Sequence, residues 1–587
     1  MDLPLQRQCP GENTFRGGGM VSRRRHVVDN KQRGGSTRGG IVDLVLRGAT
    51  VVDGTGAPSR RADVAIRDGR IAEIGAVTAT DATSIDLDGL VLAPGFIDPH
   101  THYDAQVLWD PDLTPSSWHG VTSVVVGNCG FGIAPTHPRH RPIIMRTLEN
   151  VEGMPYAALE AGIRWEFETF PEYLDTIDRT PMRVNVAALI GHTPIRFFVM
   201  DEDATERSAT GDEVARMCTI VGEALDAGAI GLSTSRSPGH VGAYGKPVPS
   251  RAADMSEIRA LAQVLGDKRQ GTIESVYGPD FFVEEMAELS RQIDRPFTWV
   301  AIVTQKDNLA YAPDLVARVH KSGGRVYPQV SCKPIVVQMQ LRDPFPFANV
   351  PAFNDILELP SDQREALLSQ PEWSKRASVE VRGLWGNILD TAVVAESEVH
   401  RDLINGQTMG ARAGERGEPL DAMVDLALQD PTTRFRIAMT NDDEEQIAEL
   451  LVDKAMMVGL SDAGAHTSQL CDANYTTHLL ARFVRERGDL SIEDAVWRLT
   501  GHPALVYGLT DRGVLRPGAM ADLVAFDPAT VGGGSETRVH DFPGGADRLV
   551  AHPTGVEHVW VRGTAVRRDG VDLAGVRPGR LLRKGVG

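Results

Sequence analysis

His100 and His102 stand one residue apart in "LAPGFIDPHTHYD", Leu92 to Asp104, just after an apolar run that ends at Pro-Gly. In extended backbone alternate side chains share a face, so a His-x-His pair presents two imidazoles to one point. Neutral imidazole is a favoured zinc ligand, at about 2.0–2.1 Å. The plainer alternative is a polar loop following a strand. Cys129 in "VVVGNCGFG" has the same two sides. It is a buried thiol, the usual fate of a free cysteine, or a thiolate ligand whose proton a nearby cation has displaced.

Further along, His192 closes "LIGH" and reads as a ligand, a substrate contact or a hydrogen-bonded support. "GLSTSRS" places Ser233, Ser235 and Arg236 together, and Arg236 is either a bidentate clamp for a carboxylate or a solvated cation. "GLSDAGAH" supplies Asp462 and His466. A carboxylate there can take the proton of a metal-activated water and hand it to a leaving group. It can equally be a helix N-cap.

These residues share a position, the end of an apolar strand. "VTSVVVGNCG", "VNVAALIGH", "AGAIGLSTS", "RPFTWVAIVTQ", "GGRVYPQVS" and "AMMVGLSDAGAH" alternate with helical stretches. Two of the helices are "GDEVARMCTIVGEALDAG" and "VEEMAELSRQID", with apolar residues three and four apart. That rhythm predicts an α/β fold, a (β/α)8 TIM-like barrel over 95–504 with its chemistry at the strands' C-terminal ends. Residues 335–430 interrupt the rhythm and read as a lid-like insertion. At the two ends, 41–94 and 505–587, short alternating strands and turns such as Asp68-Gly69 predict β-hairpins. Each half-set is too small for a core, so the two are expected to pair into one small composite β-sandwich.

The chain has 587 residues, 42% hydrophobic, with a formal charge of -18. Its length suits a large barrel plus a satellite module. The acidic balance argues against nucleic-acid or anionic-membrane partners and leaves a small-molecule substrate. Five scattered cysteines fit a reducing cytoplasm, and no run reaches the roughly 18 apolar residues of a membrane span. Residues 1–40 depart from this, with eight Lys/Arg against three Asp/Glu and many glycines. They read as a disordered basic extension, with a targeting or nucleic-acid arm as the alternative. A homo-oligomer is the default for a large soluble enzyme.

"GFIDPHTHYD", "GVTSVVVGNCGFGIAP", "GLSTS", "SDAGAH" and "LRPGAMADLVAFDP" together resemble the amidohydrolase superfamily, and within it the N-acyl-D-amino-acid deacylases. The resemblance runs over roughly 41–575. It implies a metal-bearing barrel and zinc-dependent hydrolysis of N-acylated D-amino acids. It also implies that His100 and His102 are metal ligands, that Cys129 replaces the bridging carboxylated lysine of other amidohydrolases, and that Asp462 is catalytic. The middle strands depart from the family pattern. Glu274 stands where a fifth-strand histidine is expected, Thr304 where a sixth-strand one is expected, with Lys306 kept, and Gln329 replaces a tyrosine that would polarise the substrate carbonyl. In that family the ion held by the cysteine and those two histidines is the one tied to deacylation.

The ligand set left is His100, His102, Asp462, Cys129 and, as a substitute carboxylate, Glu274. It is able to hold one ion and still activate water. The expectation is therefore a mononuclear zinc amidohydrolase cleaving an amide C–N bond, with Asp462 as general acid and base. Arg236, Lys306, His192, Ser235 and Gln329 are its candidate substrate contacts. Two alternatives stand beside it: the same fold acting on a cyclic amide, an ester or in a lyase step, and an inactive scaffold.

Overall fold

The computed structural model describes residues 42–583 apart from 307, 348, 415 and 416. The basic extension read at 1–40 lies outside the described residues. The centre of the fold is an eight-stranded parallel sheet. Its strands, in chain order, are Phe96–Asp98, Val121–Val126, Asn185–Gly191, Gly231–Ser235, Thr272–Val276, Phe297–Val300, Val326–Val330 and Met457–Val458. Each pairs with the next in sequence, and a parallel bridge between Thr101 and Ala463 joins the first edge to the last. The molecule thus has the barrel of the expected α/β class, together with a smaller sheet domain.

Continuous apolar runs form these strands because both faces are covered. Every residue of Val121–Val126 and of Asn185–Gly191 is buried. Val125, Leu189 and Met457 pack with Val506 and Tyr507 into one cluster, and the Tyr507 hydroxyl donates to the Pro99 carbonyl at 3.0 Å. The two helices singled out in sequence form at Gly211–Asp226 and Val283–Ile293, the first behind a reciprocal Thr210–Glu213 capping box. The eighth strand is shorter than its apolar text. Leu460, Asp462, Gly464 and His466 all have positive φ, so the backbone leaves strand geometry almost at once.

Strands from both ends of the chain share one nine-stranded sheet, joined where Val91–Pro94 runs antiparallel to Leu523–Phe526. The Asp68-Gly69 turn, with φ of 51° and 71°, connects Arg60–Arg67 to Arg70–Gly75, as a two-residue hairpin requires. Between the seventh and eighth barrel strands, Ile335–Met339, Val393–Glu396 and Arg434–Thr440 form a separate antiparallel sheet. Helices such as Pro371–Trp385 and Pro419–Gln429 pack on it around Met339, Phe353, Trp373 and Phe435.

His119 ties barrel to outer strands. Its Nε2 lies 2.9 Å from the Ala551 carbonyl and its Nδ1 2.8 Å from the Thr477 hydroxyl. Burial pushes its pKa down to about 3. The unfolded imidazole protonates near pH 6.5, so the folded state binds fewer protons over that window. Stability is present above about pH 6.5 and declines as pH falls towards the folded value, by about 1.4 kcal/mol per pH unit for this group. Urea midpoints measured from pH 7 to pH 4 are expected to fall less steeply in His119→Gln than in the wild type; equal slopes would remove His119 from the acid limb.

Candidate metal centre

Thr101, between the two histidines, is fixed from both sides. Its amide and hydroxyl both bond the Val125 carbonyl, at 3.1 and 2.7 Å, while the His102 amide donates to Ala463 at 2.7 Å. His100 and His102 therefore leave the strand end on one side, ring centroids 5.3 Å apart at 64°. The His100 Nδ1 lies 2.9 Å from Gln329 Oε1. An amide oxygen accepts there, so Nδ1 carries the proton and Nε2 keeps its lone pair for the site. Burial pushes the pKa of His100 down to about 3 and that of His102 well below the ordinary imidazole value, so both stand neutral.

Cys129 reaches these nitrogens because the chain turns sharply after the second strand. Gly127, Cys129 and Gly130 all have positive φ, and a Cβ on Gly127 would sit 2.2 Å from the Leu189 carbonyl oxygen. Only glycine fits at 127. Asn128 donates to the Thr101 and Val125 carbonyls at 3.1 and 3.0 Å, and Ser233 bonds both the Gly127 carbonyl and the Gly130 amide. The Cys129 Sγ comes to 3.4 Å from His100 Nε2. The ligand atoms of His100, His102 and Cys129 all lie within 4.8 Å of one another.

Asp462 meets them from the eighth strand. Its Oδ1 lies 3.2 Å from His100 Nε2 and 3.8 Å from His102 Nε2. Its side chain keeps 30% exposure, while burial of its surroundings pushes its pKa up to about 7. Two further groups that sequence reasoning missed face the same space. Glu152, the last residue of helix Arg141–Glu152, brings Oε2 to 3.4 Å from His102 Nε2 and 3.9 Å from His466 Nε2. His240 bonds Ser235 Oγ through Nδ1 at 2.8 Å, and burial pushes its pKa down to about 4, so it too stands neutral. Nothing in "LENVEGMP" marked Glu152, because a helix-terminal acid before glycine is ordinary surface text.

Five of the expected roles differ in the structure. Glu274, which like Asp462 and Glu152 lies outside the tight His100–His102–Cys129 group, accepts the Cys129 amide through Oε2 at 2.7 Å, so it holds the cysteine loop, and its Oε1 has no partner. Arg236 is no free clamp, since its guanidinium is engaged by Asp280 and by the carbonyls of Ser250, Arg251 and Ala253. His192 faces the helices behind the fourth strand, bonded to Thr234 at 2.8 Å and Glu257 at 2.7 Å, because Thr234 alternates with inward Ser233 and Ser235. Lys306 is 59% exposed and paired with Asp442 at 2.6 Å. Gln329, expected at the substrate, orients His100 instead, and its Nε2 remains without a partner.

The donor set fits a cation. Burial first, then the charges of Glu274, Glu152, Asp462 and Asp104, push the Cys129 thiol well above its usual range. Burial and the same acids raise Glu152, and burial takes Glu274 up to about 8. Among the described residues no Lys or Arg pairs with Glu152, Glu274, Asp104 or Asp462. A cluster of buried acids and neutral imidazoles without a countercharge is costly unless a bound cation supplies it.

Comparison with known proteins agrees. The amidohydrolase family model matches residues 83–332 and 393–567. The chain belongs to the amidohydrolase family, and it is a hydrolase acting on carbon–nitrogen bonds other than peptide bonds. Residues 5–95 also match the N-terminal domain of the urease alpha subunit. Among its relatives, the D-aminoacylase of Alcaligenes xylosoxydans xylosoxydans is 30% identical, over 92% of this chain and 98% of that one. The N-acyl-D-aspartate deacylase of the same organism is 32% identical, over 92% and 95%. The crystal structure of N-acyl-D-glutamate deacylase from Bordetella bronchiseptica, complexed with zinc and a phosphonate inhibitor, is 28% identical with a TM-score of 0.64, covering 93% of this chain and all of that one. A D-aminoacylase structure described by a binuclear metal centre, with one-metal activation and second-metal attenuation, is 27% identical with a TM-score of 0.65, covering 92% of this chain and 100% of that one.

Proposed function

We propose that the protein is a mononuclear zinc amidohydrolase that cleaves the amide of a small N-acyl amino acid, the D series first. The observation that carries this reading is the convergence of His100 and His102 Nε2, Cys129 Sγ and Asp462 Oδ1 from three different strand ends. His100, His102 and Cys129 would hold the ion, with Asp462 beside it. When bound, zinc supplies the Lewis acidity that makes water a nucleophile near neutral pH. Gln329 keeps the His100 lone pair turned to the site. Asp462, whose side chain is 30% exposed against 5% for Glu152, takes the proton of the attacking water and delivers it to the leaving nitrogen.

The substrate would enter beside Glu152 and His466. A cavity of about 680 Å³ is lined there by Gly153 and Gln469, and by Arg146, Arg364 and Arg434 from the helix and the insertion. Burial and neighbouring Arg538 lower the pKa of Arg434, whose acidic partners Asp547 and Glu396 stay at 3.5 and 3.8 Å. Arg146, Arg364 and Arg434, which share the cavity wall with Glu149, Asp343 and Asp547, are candidate contacts for a carboxylate-bearing substrate, in keeping with N-acyl-D-aspartate and N-acyl-D-glutamate deacylases among the relatives. The replaced middle-strand histidines, now Glu274 and Thr304, favour a second reading, hydrolysis of a cyclic amide or ester on the same fold.

The setting we propose is the cytoplasm, with a small-molecule substrate, no nucleic-acid or membrane partner, and self-association into a homo-oligomer. The acidic charge of -18 supports it, and no helix among the described residues is long and apolar enough to cross a membrane. Purified protein assayed for metal and against N-acetyl-D- and L-amino acids, hydantoins and simple esters is expected to carry one zinc per chain and to turn over an N-acyl-D-amino acid. Silence on every N-acyl amino acid with turnover of a cyclic amide or ester would select the second reading, and metal-free, inert protein would end both.

A further inference from the structure

Among the described residues Glu152 is a buried acid without a basic countercharge. Its side chain is 5% exposed. Among the described residues its carboxylate accepts no hydrogen bond and meets no Lys or Arg; its nearest polar neighbours are His102 Nε2 at 3.4 Å and His466 Nε2 at 3.9 Å. Both distances exceed the 2.7–3.2 Å of an N–H···O bond. The residue also ends helix Arg141–Glu152, where the carbonyl end of the macrodipole disfavours negative charge. Its backbone has no freedom to turn away. Gly153 follows at φ 59°, and the Glu152 carbonyl accepts the His466 amide at 2.6 Å.

We infer that Glu152 is itself a ligand of the ion, on the His102 side, with a position left open for water. The inference rests on the metal-dependent reading above and adds to it a donor from outside the strand ends. Tetrahedral zinc with bonds of about 2.0–2.1 Å separates neighbouring ligand atoms by about 3.3 Å. Three separations match that spacing, 3.2 Å from His100 to Asp462, 3.4 Å from Cys129 to His100 and 3.4 Å from His102 to Glu152, while His102 to Asp462 is longer at 3.8 Å. A hydrogen-bonded acid would have a donor, and a structural ion pair would have a lysine or arginine. Glu152 has neither, while it faces the nitrogen through which His102 meets the cluster.

Zinc affinity measured by chelator competition, and the d–d absorption of the cobalt-substituted protein, test this without reference to turnover. Glu152→Gln keeps the shape and removes the charge. It is expected to lose more than about 100-fold in zinc affinity, beyond the 10–100-fold typical of partners that only orient a ligand. The cobalt spectrum is expected to change, and Glu152→Asp to recover part of both. Ion-free Glu152→Gln is expected to melt no lower than the ion-free wild type, because a buried carboxyl crowded by other acids is gone. Wild-type affinity or an unchanged cobalt spectrum in Glu152→Gln would overturn the inference and leave the hydrolase reading standing. Should Glu152→Gln not fold, wild-type affinity in Glu152→Asp with an unchanged cobalt spectrum would overturn it equally. A wild type that binds no zinc at all would overturn both.

Discussion

Asp462→Asn is expected to lower kcat by about 10²- to 10⁴-fold, the range for loss of a positioned acid–base group, with little change in KM. The substitution is nearly isosteric, and asparagine tolerates the left-handed backbone at φ 47° as readily as aspartate. The local frame does not depend on the carboxylate. Ser461 Oγ donates to the His100 carbonyl at 2.9 Å, and the Ala463 amide bonds Ser461 Oγ at 3.1 Å. Asparagine can still turn an oxygen towards the imidazoles, so the ion should be retained, but its amide cannot accept a proton. Steady-state kinetics with zinc analysis on the same preparation checks this. A variant holding zinc and keeping more than a tenth of wild-type kcat would exclude Asp462 as the proton carrier.

The legible part of this site is the part set by local periodicity. His-Thr-His announces itself because alternation in a strand puts both rings on one side, and "GNCG" because two glycines round a cysteine force a turn at a strand end. What stayed hidden depends on register. Asn185–Gly191 is apolar on both faces, so nothing in its text tells whether Gly191 or His192 looks inward. The structure turns His192 outward, to Glu257. Arg236 was read from its strand-end cluster and Lys306 from a retained motif position, and the partners that engage them, Asp280 and Asp442, lie 44 and 136 positions away. Glu152 was missed because burial at a helix end is a tertiary fact. The barrel rhythm, by contrast, survives such gaps, since it is repeated in every strand–helix unit.

Stripping the ion with a chelator and returning zinc stepwise is expected to abolish turnover and then restore it in full at one equivalent per chain, with no gain from a second. The fifth and sixth strands provide the reason. A second ion there would need Glu274 and Thr304; Thr304 is fully engaged, and Glu274 has one oxygen engaged and only Oε1 without a partner. Glu274 Oε2 holds the Cys129 amide at 2.7 Å. Thr304 anchors the Asn441–Asp443 segment, its amide to Asn441 Oδ1 at 3.0 Å and its hydroxyl accepting the Asp443 amide at 3.3 Å. Releasing either donor would loosen the loop that presents Cys129 or the segment beside the insertion. The single ion should also stabilise the fold, by about 4 kcal/mol when free zinc is a thousandfold above Kd, because it binds only where the strand ends converge. Thermal melts of the stripped and reloaded protein should separate accordingly. Activity that climbs until a second equivalent has bound would show that Glu274 and Thr304 can be recruited after all, and the mononuclear site would give way to a binuclear one.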